Sequence, residues 1–152
     1  MENHEWSLEQ LTAKAESYCV KAEHCIWEVQ NKLVQWEATT EQIEQITTHL
    51  LQHKFIDEQR YCSAYVHDKL LYLGWGRLKI RAHLFTKHLT AEFIEQALTE
   101  IDENTYQAIL QKLIATKKRS IKSSDPQMRE KLIRFCMQRG FTYAEIKKTA
   151  NF

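Results

Sequence analysis

Three glycines and one proline in 152 residues are too few to punctuate the turns of a many-stranded β protein. The same scarcity leaves almost nothing to cradle a phosphate, and no P-loop, GxGxxG, HExxH or GxSxG string occurs. ATPase and dehydrogenase chemistry is disfavoured, and the chain reads as a non-enzyme. Cysteine is sparse too: Cys19, Cys25, Cys62 and Cys136 form no CxxC pair. The opening Met1-Glu2-Asn3-His4-Glu5 carries acids and no apolar signal region, and no run of about 18 apolar residues appears. These absences imply reduced thiols and a soluble, cytoplasmic protein. Among Cys19, His24, Cys25, His49 and His53 only the histidines keep zinc-ligand spacing. Core thiols and surface histidines are therefore expected, with no metal and no cofactor.

What is abundant is Glu, Gln, Lys, Leu and Ala, the composition of an all-α fold. Helix entry signals recur at Thr39-Thr40-Glu41-Gln42, Thr90-Ala91-Glu92-Phe93 and Thr142-Tyr143-Ala144-Glu145, and the first and third have capping-box form. Each opens a short helix with an isoleucine at the same offset (Ile43, Ile94, Ile146), at spacings of 51 and 52 residues. The same offsets align Lys32-Leu33 with His83-Leu84 and Phe135-Cys136, the end of a preceding helix. A third helical stretch comes before each pair, at about 8–24, 57–73 and 104–121. In the middle one, Tyr61, Tyr65 and Leu73 are expected on a buried stripe.

Nine helices in three triplets follow, an elongated array of tandem three-helix, helix-turn-helix-like repeats at 1–54, 55–103 and 104–152. Units of about 50 residues bury little alone, so neighbours must lean on one another. The alternative is one irregular bundle with accidental spacing. Gly74-Trp75-Gly76 marks a joint, Lys118–Ser124 a linker, and Asp125-Pro126 a capped helix start. Trp27, Trp36, Phe55, Tyr61, Tyr65, Phe85, Phe93 and Phe135 are expected to turn inward. Trp75, between two glycines, is read as a plug between repeats rather than an exposed contact.

A formal net charge of +1 hides a gradient. Residues 1–58 hold 4 basic and 11 acidic side chains, 59–104 hold 6 and 6, and 105–152 hold 11 and 3. Acid pairs such as Glu41/Glu44 and Glu92/Glu95 complement helix dipoles and are expected to face water. Arg60, Lys69, Arg77, Lys79 and Arg81 lie in the middle unit. Lys117, Lys118, Arg119, Lys122, Arg129, Lys131, Arg134, Arg139, Lys147 and Lys148 load the last. One basic helix is often only a solvated face, but this concentration favours an anionic partner.

The middle of the chain resembles a known family. Phe55-Ile56-Asp57-Glu58-Gln59-Arg60-Tyr61-Cys62-Ser63-Ala64-Tyr65-Val66-His67-Asp68-Lys69, then Gly74-Trp75-Gly76-Arg77-Leu78-Lys79-Ile80-Arg81-Ala82-His83-Leu84, is similar to the signature of RecX-family regulators of the RecA recombinase. Lys87-His88-Leu89 replaces the usual Lys-Gly-Ile turn, Glu37-Ala38 stands where the first repeat often has Gly, and Arg139-Gly140-Phe141 keeps the turn. The resemblance implies a monomer that binds the RecA filament, dampens recombination and serves DNA repair and the SOS response. Single-stranded or duplex DNA would be a secondary contact, with no membrane or small-molecule substrate. By motif position it points to Arg60, Lys69, Arg77 and Arg81, with Lys79 beside them and Lys117, Lys118, Arg119, Arg129, Arg134 and Arg139 assisting. The competing reading is a direct DNA-binding helix-turn-helix protein. Against it stands the acidic first repeat, which phosphates would repel.

Overall fold

The computed structural model describes residues 5–152; the acidic opening at residues 1–4 lies outside them. The described residues form nine α-helices and no strand. They are α1 (Leu8–Lys21), α2 (Ile26–Gln35), α3 (Thr40–Gln52), α4 (Glu58–Leu73), α5 (Arg77–Thr86), α6 (Ala91–Thr99), α7 (Glu103–Arg119), α8 (Met128–Gln138) and α9 (Tyr143–Ala150). They fall into three tandem triplets.

Each helix buries one stripe at helical spacing. Leu11, Ala15 and Cys19 do so in α1, Ile80 and Leu84 in α5, Tyr106, Leu110 and Ile114 in α7. Covering such side chains is worth about 1.5–3 kcal/mol apiece for the large ones, which outweighs weak local propensity. The aligned positions Leu33, Leu84 and Cys136 are all fully buried, as are Ile94 and Ile146, while Ile43 packs at the margin of the first core.

Ser7, Asp57 and Asp102 cap α1, α4 and α7 by accepting the amides of Gln10, Arg60 and Thr105. Thr39 and Thr142 form the expected boxes with Gln42 and Glu145. Thr90 makes no side-chain cap bond, and Phe93 occupies the position where those two reach back. Between the second and third helices of each triplet the chain turns through a left-handed residue: Glu37 (φ 61°), His88 (φ 61°) and Gly140 (φ 99°). Only the third copy uses glycine, so the first two turns carry strain that a Cβ brings to this region.

Several expectations need correction. Leu73 is exposed and the α4 stripe runs through Tyr61, Cys62, Val66 and Leu70, because twelve residues is about a third of a turn out of register. Phe85 is 70% exposed, one step around the helix from buried Leu84, and Trp27 is 37% exposed at the margin rather than in the core. The irregular stretch begins only after Arg119, since Lys118 and Arg119 remain in α7. Asp125 does not open α8: it turns the chain, accepting the Gln127 amide at 2.8 Å, and the helix starts at Met128.

The first triplet keeps its own core around Val29, Leu33, Ile46 and Leu50. The second and third share one, and Cys25 of the first reaches into it.

Candidate functional site

Both junctions between triplets obey one rule: the second helix of a triplet sets its N-terminus against the next triplet. At the first junction the Glu58 carboxylate of α4 faces the Ile26 amide at the start of α2. Cys25 Sγ lies 4.0 Å from the Lys87 carbonyl oxygen in the next triplet's turn. Glu28 completes this junction, its Oε1 accepting the Cys25 amide at 3.2 Å and its Oε2 a 3.1 Å bond from Lys87 Nζ. Burial raises the Glu28 carboxyl, but Lys87 and the Cys25 amide outweigh it and hold the group below the ordinary glutamate range.

At the second junction Gly76 takes the place of Cys25. Its amide donates to the Arg139 carbonyl at 2.7 Å, and the Leu78 amide donates to the Gly140 carbonyl at 3.1 Å. The Tyr106 hydroxyl accepts the Arg77 amide at 3.1 Å, closing the open start of α5. The Arg77 guanidinium lies 3.9 Å above the Tyr106 ring and bonds to Glu103 and, at 3.4 Å, to Glu145.

The two junctions differ in charge. The repeat offsets of 51 and 52 put Lys79 where Glu28 stands and Arg139 where Lys87 stands. A salt bridge in one junction is thus replaced by two cations in the other. Among the described residues neither Lys79 nor Arg139 has a carboxylate at ion-pair distance, and neither have Lys69 and Lys117.

These four cations alternate with aromatic rings. Lys69 Nζ and Lys79 Nζ lie 5.2 and 4.5 Å from the Trp75 ring centre. Arg139 donates to the Leu73 carbonyl at 2.9 Å and sits 5.1 Å from Phe135, whose ring also holds Lys117 Nζ at 5.0 Å. A strip from Lys69 through Trp75, Lys79, Arg139 and Phe135 to Lys117 therefore crosses the second junction. It runs on into an open cleft of about 550 Å³ lined by Lys117, Lys122, Lys131 and Arg134, where Lys131 pairs with Asp125 at 2.6 Å.

The remaining sequence-predicted site residues lie elsewhere. Arg60 binds Glu23 at 2.6 Å and the carbonyls of Lys54 and Phe55. Arg81 grips both oxygens of Glu95 at 2.6 and 3.2 Å. With Arg77, these are the motif arginines, and each has its charge met within the chain. Lys118 and Arg119 are exposed at the end of α7, and Arg129 lies 5.2 Å from the Phe152 ring.

Trp75 is half-buried and both plugs the junction and holds cations, so the two readings of it are not exclusive. Phe135, read as core, is a half-buried member of the strip. Overlaying the copies at the repeat offsets shows the charge change at 28/79 and 87/139, the signal from which the strip could have been found.

The strip has no nucleophile and base in hydrogen-bond reach. The four cysteines are buried, and burial pushes their thiols up to about 11 for Cys19, Cys25 and Cys136 and about 12 for Cys62, which keeps them protonated at neutral pH. No group of three or more His, Cys, Asp or Glu among the described residues is placed to hold a metal ion. The arrangement can attract and order a polyanion.

Residues 57–98 match the family description "RecX, second three-helix domain", and residues 104–149 match "RecX, third three-helix domain". The chain is 30% identical over 133 residues to the regulatory protein RecX of Vibrio parahaemolyticus, covering 87% of this chain and 84% of that one. The chain belongs to the RecX family. Its likeness to the Clostridium tetani regulatory protein RecX is 28% over 127 residues, 82% of this chain and 58% of that longer relative. The crystal structure of RecX from Lactobacillus salivarius shares the fold, with a TM-score of 0.82 over 95% of this chain and 94% of that one at 19% identity. RecX proteins are regulatory proteins, and the tandem three-helix repeats described above are the RecX architecture. The arginines of the RecX-like motif in this chain thus tie helices and repeats together. No helix among the described residues is long and apolar enough to cross a membrane.

Proposed function

We propose that this protein binds the RecA nucleoprotein filament and lowers recombinase activity, as a monomeric, cytoplasmic, non-catalytic regulator in recombination and DNA repair. Membership of the RecX family supports the choice of partner. The observation that carries the reading is the strip of unneutralised Lys69, Lys79, Arg139 and Lys117 across the second junction. A RecA filament on DNA is a repeating anionic surface, and a tandem array can follow it over more than one protomer.

The other basic residues assist from the flanks: Arg134 in the cleft beside the strip, Lys118, Arg119 and Arg129 around the third repeat. Arg60, Arg77 and Arg81 shape the surface rather than meet the partner, because their charges are already paired. A helix-turn-helix protein reading duplex DNA directly would present its third helices. In the first two repeats these carry exposed Glu41 and Glu92, which phosphates repel.

The test is titration into RecA-coated single-stranded DNA during ATP turnover and strand exchange, beside binding to bare duplex. Inhibition is expected well below the concentration that coats naked duplex, and Lys69→Glu with Lys117→Glu should abolish it while the helical circular dichroism stays unchanged. Equal potency towards bare duplex, or inhibition indifferent to both substitutions, overturns the reading.

A further inference from the structure

We infer that a nucleic-acid phosphate completes the second junction, standing where the Glu28 carboxylate stands in the first, so that binding a strand tightens the third repeat onto the second. This deepens the reading of the strip as the anionic contact surface and rests on it.

The first junction shows what a finished one contains. Its side-chain contacts centre on an anion, Glu28, held by Lys87 at 3.1 Å and by the Cys25 amide at 3.2 Å, with the Lys87 and Glu28 side chains about one-fifth exposed. The second junction makes its contact through backbone instead, Gly76 to Arg139 and Leu78 to Gly140, and through Arg77 to Glu103 and Glu145, but no carboxylate stands at the position equivalent to Glu28. Lys79 and Arg139 replace the pair, and like charges at one joint weaken it. An external anion between them would reverse that sign.

The chemistry of the neighbours selects a phosphodiester strand over an acidic peptide. Trp75 and Phe135 are half-buried rings each held between two cations, spaced along a strip rather than gathered at a point. Flat faces interleaved with cations suit a chain of stacked bases with a charge on every link. A carboxylate-rich peptide uses the charges and leaves the rings without a partner.

The amides of Gly76 and Leu78 report directly on the joint, since both hydrogen bonds cross it. The experiment is hydrogen exchange of the full-length protein with and without a single-stranded oligothymidylate. Binding is expected to slow exchange at Gly76 and Leu78 while leaving unchanged the Cys25–Glu28 joint, which already has its anion. Binding without that slowing overturns the inference and leaves the anionic-surface reading intact. Failure to bind the oligonucleotide, with RecA inhibition retained, overturns it too, and points to an acidic protein surface instead.

A variant tests the same idea without ligand. Lys79→Glu recreates the first junction's charge pattern opposite Arg139. It should raise the melting temperature by ~1–3 °C and weaken oligothymidylate binding by about tenfold or more. Lys69→Glu, the same charge change away from Arg139, should weaken binding without that gain. The gain must vanish when Arg139→Gln is added. No gain from Lys79→Glu, or a gain that survives Arg139→Gln, overturns the inference.

Discussion

Gly76 and Gly140 meet backbone to backbone: a Cβ built on Gly76 would fall 2.4 Å from the Gly140 carbonyl oxygen, and one built on Gly140 would fall 2.5 Å from the Cβ of Lys79. Two repeats approach here as closely as main chains allow, and a side chain on either residue must part them. Gly76 has ordinary negative φ (−80°), so its requirement is purely steric. Gly76→Ala is expected to cost ~1–3 kcal/mol by forcing the junction open. Urea denaturation of the two proteins side by side measures it; a loss under about 0.5 kcal/mol, the size of a surface substitution, would contradict the close approach.

Arg77 and Arg81 stand one turn apart on α5 but should respond differently. Arg77 is only 23% exposed and shared by Glu103, Glu145 and the Tyr106 ring, so Arg77→Ala leaves two acids facing each other at the junction and should cost about 2–3 kcal/mol. Arg81 is 40% exposed on a single partner, and Arg81→Ala should cost under about 1 kcal/mol. Thermal melts of both variants decide the order. Equal losses would show that Arg77 does not hold the repeats together.

Glu37 occupies a left-handed turn position (φ 61°) with its side chain exposed. Glu37→Gly removes the strain of a Cβ there and is expected to stabilise by ~0.5–1 kcal/mol after the entropy lost to a more flexible unfolded chain. His88→Gly relieves the same strain but surrenders the ring contact to Trp27 at 5.9 Å, so its gain should be smaller. Chemical denaturation of both variants ranks them, and destabilisation by Glu37→Gly would refute the argument.

Two glutamates at the first junction should shift acid stability in opposite senses. Glu28 has a folded-state pKa below its ordinary value, so its stabilising contribution is present above about 4.5 and fades as pH falls through the folded value. Glu58 is raised, chiefly by burial and only partly offset by the Ile26 amide. Its ionisation therefore opposes folding at neutral pH, and that penalty lifts on acidification. Glu28→Gln should lower the melting temperature at pH 7 and converge with the parent as the pH falls through the folded value. Glu58→Gln should raise it at pH 7 and likewise converge. A melting series across pH reads both, and shifts of the same sign would be inconsistent with these environments.

The repeat layout was legible because it is written in short-range chemistry: threonine caps, isoleucines at constant offset, a glycine at a joint. The outward turn of Leu73 was not legible, because an offset of twelve residues loses helical phase, nor was that of Phe85, because an aromatic next to a core leucine need not share its face. The pairing of the motif arginines was hidden, because sequence shows their charge but not the carboxylates that meet it. Glu23 lies 37 residues from Arg60, Glu103 26 from Arg77, and Glu145 68 from Arg77. Lys69, Lys79, Lys117 and Arg139 are legible from charge and motif position, yet their continuity depends on a junction that only the fold assembles.

Each junction lends the preceding repeat something it lacks, and this sets an order of completion during synthesis. When the first 54 residues have left the ribosome, the start of α2 has neither the Glu58 carboxylate for its Ile26 amide nor Lys87 for Glu28. The nascent first repeat must wait for chain not yet made, so folding is expected to lock in from the junctions rather than repeat by repeat.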